Sequence, residues 1–256
     1  MKQNSYVDYN KVVKCLTFDP QGFLCVKEDE QFLKYLLDNF VYKILPPLKR
    51  PDAFAVNGKE LLLLEHFQFD NSKATSKGSK QFFLDAETDR YLSKELQKSK
   101  NSTAVYSSYI EKSGTFYCDN FIKQFNNHYN KINEYKNAMQ NELHTNFEKI
   151  YVGFVIEDAS ILGSYYYDET VYSLRCLNLL NTKEFLDIFD KSIDLDFVFF
   201  AMTGDMDNLL SSFISRNTIS IFQKNQINAK DISEFAFKHS SSFLGEIPIS
   251  FDKNAK

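Results

Sequence analysis

The stretch "PDAFAVNGKELLLLEHFQFD", residues 51–70, constrains the fold more than any other part of the chain. Two apolar runs, "DAFAV" and "ELLLLEHFQF", flank "NGK", and Asn-Gly between such runs is the strongest short signal for a β-hairpin. Two acids interrupt that pattern: Asp52 opens the first run, and Glu65 stands near the end of the second. A carboxylate on a buried strand is costly unless something pairs with it. The two acids therefore either sit at the solvated ends of a plain hairpin or converge on something positive, with a divalent metal the leading candidate.

Helical and strand-like segments surround this hairpin. Residues 28–45 place Phe32, Leu33, Leu36, Leu37, Phe40, Val41 and Ile44 at helical spacing, with acids in the first turn where the helix dipole favours them. "PPLKRP" follows, and proline cannot continue a helix. Residues 71–80, "NSKATSKGSK", are polar and unpatterned and read as a mobile loop. Residues 86–100 read as a surface helix. From 119 to 148 one long helix is expected, capped by Asp119, with a stripe of Phe121, Phe125, His128, Ile132, Tyr135, Met139 and Leu143. "KIYVGFVIED" (149–158) and "LDFVFFAM" (195–202) have the look of buried strands. "TKEFLDIFDKS" reads as a short amphipathic helix and "NTISIFQ" as an edge strand before a polar helix and tail. The order predicts an α/β (or α+β) fold, a mixed central β-sheet flanked by helices. With no repeat and no low-complexity linker, residues 1–256 are expected to form a single elaborated domain.

Composition excludes several function classes. A net charge of −4 offers no global attraction for nucleic acid, so any such contact must be local. Cys15, Cys25, Cys118 and Cys176 form no CxxC pair, which argues against a zinc module and a disulfide scaffold and for thiols in a reducing cytoplasm. No run approaches the length of a membrane span, and the N-terminus lacks a signal-peptide core; a cytoplasmic protein without membrane contact is expected. No GxSxG, Walker A or GxGxxG is present.

Pro51-Asp52, then Glu65 thirteen residues later, with a helix before the hairpin and a helix and strand after it, resembles the PD-(D/E)xK nuclease superfamily. The resemblance covers roughly residues 28–160 and implies a restriction-endonuclease-like core. It further implies Mg²⁺ or Mn²⁺ held by Asp52, Glu65 and the carbonyl of His66, with hydrolysis of DNA or RNA phosphodiesters, in bacterial or phage defence. The chemistry is coherent, because a hard dication bound by one or two carboxylates can polarise a phosphate and activate water. The chain departs from the pattern at one position. The family's lysine, two residues after the Glu, is replaced by Phe67. Lys73, Lys77 and Lys80 lie in the following loop, and Lys80 is the candidate replacement because it leads into "QFFL".

The remaining candidates carry two readings each. Asp52 is a strand-opening residue after proline or a metal ligand. Glu65 is a strand-terminal acid in water or a functional one. Glu30 and Asp38 read as helix-start and solvated-face acids, with a metal-shell role for Glu30 as the alternative. Glu157 and Asp158, at a strand's carboxyl end where open α/β sheets place their sites, are site acids or loop-starting acids. His128 reads as a satisfied core histidine, and His144 and His239 as surface residues. Strand alternation points the His66 side chain away from Glu65 and Phe67. Lys73, Lys77, Lys80, Lys94, Lys98 and Lys100 form either a phosphate-contacting patch or a solvated surface. Two functions follow. One is a metal-dependent nuclease acting on nucleic acid. The other is a catalytically inactive nuclease-like scaffold that binds a protein partner, a second copy of itself or nucleic acid.

Overall fold

We describe the protein from a computed structural model, over residues 9–13, 16, 23–24, 26–46, 50–75, 78–80, 86–87, 90–91, 93–94, 106–110, 114–160, 164–167, 170–173, 183–203, 209–224 and 243–247. Lys77, Lys98, Lys100, His239, three of the four cysteines and most of the expected helix 86–100 lie outside these residues. The chain forms two compact units. The first comprises Met1–Phe69, Phe121–Ala159 and Cys176–Asp231; the second comprises Asp70–Asn120, Ser160–Arg175 and Ile232–Lys256.

The first unit is built on a six-stranded mixed sheet. Its strands are β1 (Phe23–Leu24), β2 (Ala53–Asn57), β3 (Glu60–Phe69), β7 (Lys149–Asp158), β10 (Phe197–Thr203) and β11 (Leu209–Ser215), in the order β1-β11-β10-β7-β3-β2. The three central strands, β3, β7 and β10, run parallel; β2 and β11 pair antiparallel to their neighbours, and β1 is a two-residue strand parallel to β11. The expected hairpin is present. Gly58 takes the first position of its two-residue loop at φ 61°, a conformation glycine adopts without a Cβ penalty.

Helix α1 (Glu30–Asn39) covers one face of the sheet. Phe32 packs its ring on Tyr151, Phe197 and Phe213, while Leu33, Leu36 and Phe40 join Val12, Leu16, Leu62, Leu64 and Val155 in the core. Each such large side chain taken fully out of water contributes about 1.5–3 kcal/mol. The opposite face packs on helices α2 (Gly114–Tyr129), α3 (Ile132–Leu143) and α4 (Lys183–Lys191), through Phe121 on Phe69 and Phe185 and through Phe125 on Phe67 and Phe154. The mixed sheet flanked by helices is thus as expected.

Three local expectations are corrected. The single helix over 119–148 is two helices broken at Asn130-Lys131, where the Lys131 amide turns back to His128 O (3.1 Å); the apolar stripe nonetheless continues across the break through the buried Ile132, Tyr135 and Met139. Asp119 lies inside α2 and caps nothing. The segment "NTISIFQ" is not a strand but helix α5 (Arg216–Lys224), whose first turn is capped by the adjacent Ser215, itself held by a distant carboxylate. The buried carboxylate of Asp29 accepts from the Ser215 amide (3.2 Å), the Ser215 hydroxyl (2.5 Å) and the Thr218 hydroxyl, and Ser215 Oγ accepts from the Asn217 amide (2.9 Å).

In the second unit the described strands form three small antiparallel pairs. They are β4 (Ala74–Thr75) with β5 (Gly78–Ser79), β6 (Tyr106–Ile110) with β12 (Phe243–Ile247), and β8 (Ser164–Tyr167) with β9 (Thr170–Ser173). The segment read as an unpatterned loop over 71–80 therefore contains a miniature hairpin. Asn120 and Asp70 tie down its base: the Asn120 amide donates to the carbonyls of Asp70 and Ser72, and Asp70 Oδ1 accepts from Ser72 N and Oγ.

Candidate functional site

The sheet ladder brings the two acids together. Ala53 pairs with Leu64, so Asp52 lies one step beyond the paired part of β2, opposite Glu65 on β3. Alternation sends Ala53 and Ala55 into the α1-side core and leaves Asp52 and Glu65 on the α2/α3 side. Where β2 ends, the next amide along the β3 edge needs a partner. Asp52 supplies it: His66 N donates to Asp52 Oδ2 at 2.8 Å, and Asp52 N donates to Glu65 Oε2 at 3.2 Å.

Both acids meet a cation, and it belongs to the chain. Arg50 Nη1 lies 3.0 Å from Glu65 Oε1 and 3.5 Å from Asp52 Oδ1. Glu65 Oε1 also accepts from His128 Nδ1 and from the Tyr135 hydroxyl, each at 2.9 Å. His128 is a donor here because an ionised carboxylate can only accept. Its ring stacks on Phe67, with centroids 5.0 Å apart. Burial, the Glu65 charge and the hydrogen bond to Glu65 together raise the pKa of Tyr135 far above the ordinary tyrosine value. Asp52 and Glu65 are 4% and 2% exposed, whereas the Arg50 side chain remains 52% exposed. The guanidinium thus reaches in from solvent to two buried acids.

A second polar cluster lies across the sheet, at the carboxyl ends of β3 and β7. His66 points away from Glu65, as alternation requires, and its Nε2 lies 3.1 Å from Glu157 Oε2. Lys11, from the helical segment 9–13, donates to Glu157 Oε2 (3.2 Å) and to Gln68 Oε1 (2.9 Å). Burial alone pushes the Glu157 carboxyl upward; His66 and Lys11 outweigh it and hold the group below the ordinary glutamate range.

The other sequence candidates fall as follows. Glu30, Asp38 and His144 are exposed, and Asp158 is buried. Lys73 and Lys80 belong to the second unit, joined to each other by Lys80 N donating to Lys73 O at 2.9 Å, and both are exposed, as is Lys94. Sequence reasoning missed Arg50, Tyr135, Lys11 and Gln68. Arg50 carried a legible signal, since it stands two residues before Asp52. His128 and Tyr135 were visible as the polar-tipped members of an apolar helical stripe.

Two carboxylates are an ordinary protein share of a Mg²⁺ or Mn²⁺ site. Here, however, Glu65 Oε1 already takes three donors, Asp52 Oδ2 takes an amide, and a guanidinium stands between the acids. Among the described residues no group of three or more His, Cys, Asp or Glu side chains is placed to hold a metal ion. Arg50 Nη1 thus occupies the point between the two carboxylates. Among the same residues no helix is long and apolar enough to cross a membrane. Comparison of the chain with family models, with curated proteins and with solved structures returns no match.

Proposed function

We propose that this chain is a nuclease-like scaffold that binds a partner instead of hydrolysing phosphodiesters, with Asp52 and Glu65 serving as the anchor of a fixed ion-pair network. The observation that carries this reading is the Arg50 guanidinium within 3.5 Å of both carboxylates. The aromatic stack of Phe67 on His128, at the position where the family pattern requires a lysine, supports it. On this reading the restriction-endonuclease-like core is the ancestral framework, and binding of nucleic acid or of a protein partner is the retained activity. The test is cleavage of supercoiled DNA, single-stranded DNA and RNA with Mg²⁺ or Mn²⁺. Wild-type protein is expected to give no product. Metal-dependent product that disappears in D52A and E65A overturns the reading.

A second reading is favoured by the exposure of Arg50. A side chain half in solvent can leave two same-face acids to a metal without the core unfolding. In that case the protein is a Mg²⁺- or Mn²⁺-dependent nuclease with Asp52, Glu65 and the His66 carbonyl as ligands. The same cleavage series decides between the two.

A further inference from the structure

We draw no further inference here: the strongest candidate, the side-chain cluster of Lys11, His66, Gln68 and Glu157 at the carboxyl ends of β3 and β7, is matched by contacts within the chain itself, and no second observation among the described residues points to a ligand or partner there.

Discussion

The two faces of strand β3 solve the same electrostatic problem in different ways. On the α2/α3 side, Asp52 and Glu65 are shut into a network whose donors, His128 and Tyr135, come from helices packed over them, with Arg50 the member most open to water. On the α1 side, Glu157 meets His66 and a lysine that is 36% exposed. Donors that converge on one buried acid all lose that acceptor together when the acid is removed. A carboxylate paired with a half-solvated amine can let water substitute. The difference teaches where function is to be sought. The first network is costly to dismantle, so its retention of two inward acids calls for an explanation beyond stability, whereas the second is a modest anchor for the N-terminal helical segment.

The comparison can be broken by mutation. E65A should have the largest effect, because it takes the Glu65 acceptor from His128, Tyr135 and the Asp52 amide and leaves Arg50 with one carboxylate fewer; we expect a loss of about 3–5 kcal/mol in chemical denaturation. A loss no larger than that of K11A would dissolve the contrast between the faces. G153A comes next. A Cβ there would meet the Phe197 ring at 2.1–2.8 Å, inside the apolar part of the α1 face, and such overpacking costs about 1–3 kcal/mol. If G153A is neutral by the same measurement, that face is softer than its packing implies.

Smaller effects sharpen the contrast through pH. Y135F removes one hydrogen bond to Glu65 and should cost about 1 kcal/mol near neutrality. Because the pKa of Tyr135 is raised, its contribution is complete below its ordinary value of 10.0 and is lost as pH rises past it. A stability profile that falls above pH 10 in wild type should therefore fall less in Y135F. Across the sheet the sign reverses. The Glu157 carboxyl is held below its ordinary 4.5, so its contribution is complete above that pH and is lost as pH drops through the lowered value. The acid limb should flatten in E157Q, while K11A should cost less than about 1 kcal/mol at pH 7 and shift that limb upward. An unchanged acid limb in both variants would remove Lys11 and Glu157 from the comparison.

How much could be read before folding differs element by element. The hairpin, strands β7 and β10, and helices α1 and α4 were all legible, because each announces itself through a period of 2 or 3.6 or an unbroken apolar run. Helix α5 was not. Its Thr and Ile residues read as a strand, and the Asp29 carboxylate that holds the capping Ser215 and Thr218 lies 189 residues from Thr218. The break at Asn130-Lys131 was likewise invisible, since the apolar stripe runs on past it.

The candidate site divides along the same line. By itself, the sequence determined that Asp52 and Glu65 would share one face and that His66 would take the other, because a hairpin with a two-residue loop leaves no freedom in side-chain alternation. Only the tertiary structure decided what those acids would meet. Tyr135 lies 70 residues from Glu65 and His128 lies 63, and Lys11 reaches Glu157 across 146. No local period links residues so far apart; the crossover that lays α2 and α3 over the sheet brings His128 and Tyr135 to 2.9 Å from Glu65, and the helical segment 9–13 brings Lys11 to 3.2 Å from Glu157. Whether a carboxylate pair faces a metal, water or an arginine is settled by what the packed helices and the Arg50 arm bring to that point, which the spacing of the acids cannot encode.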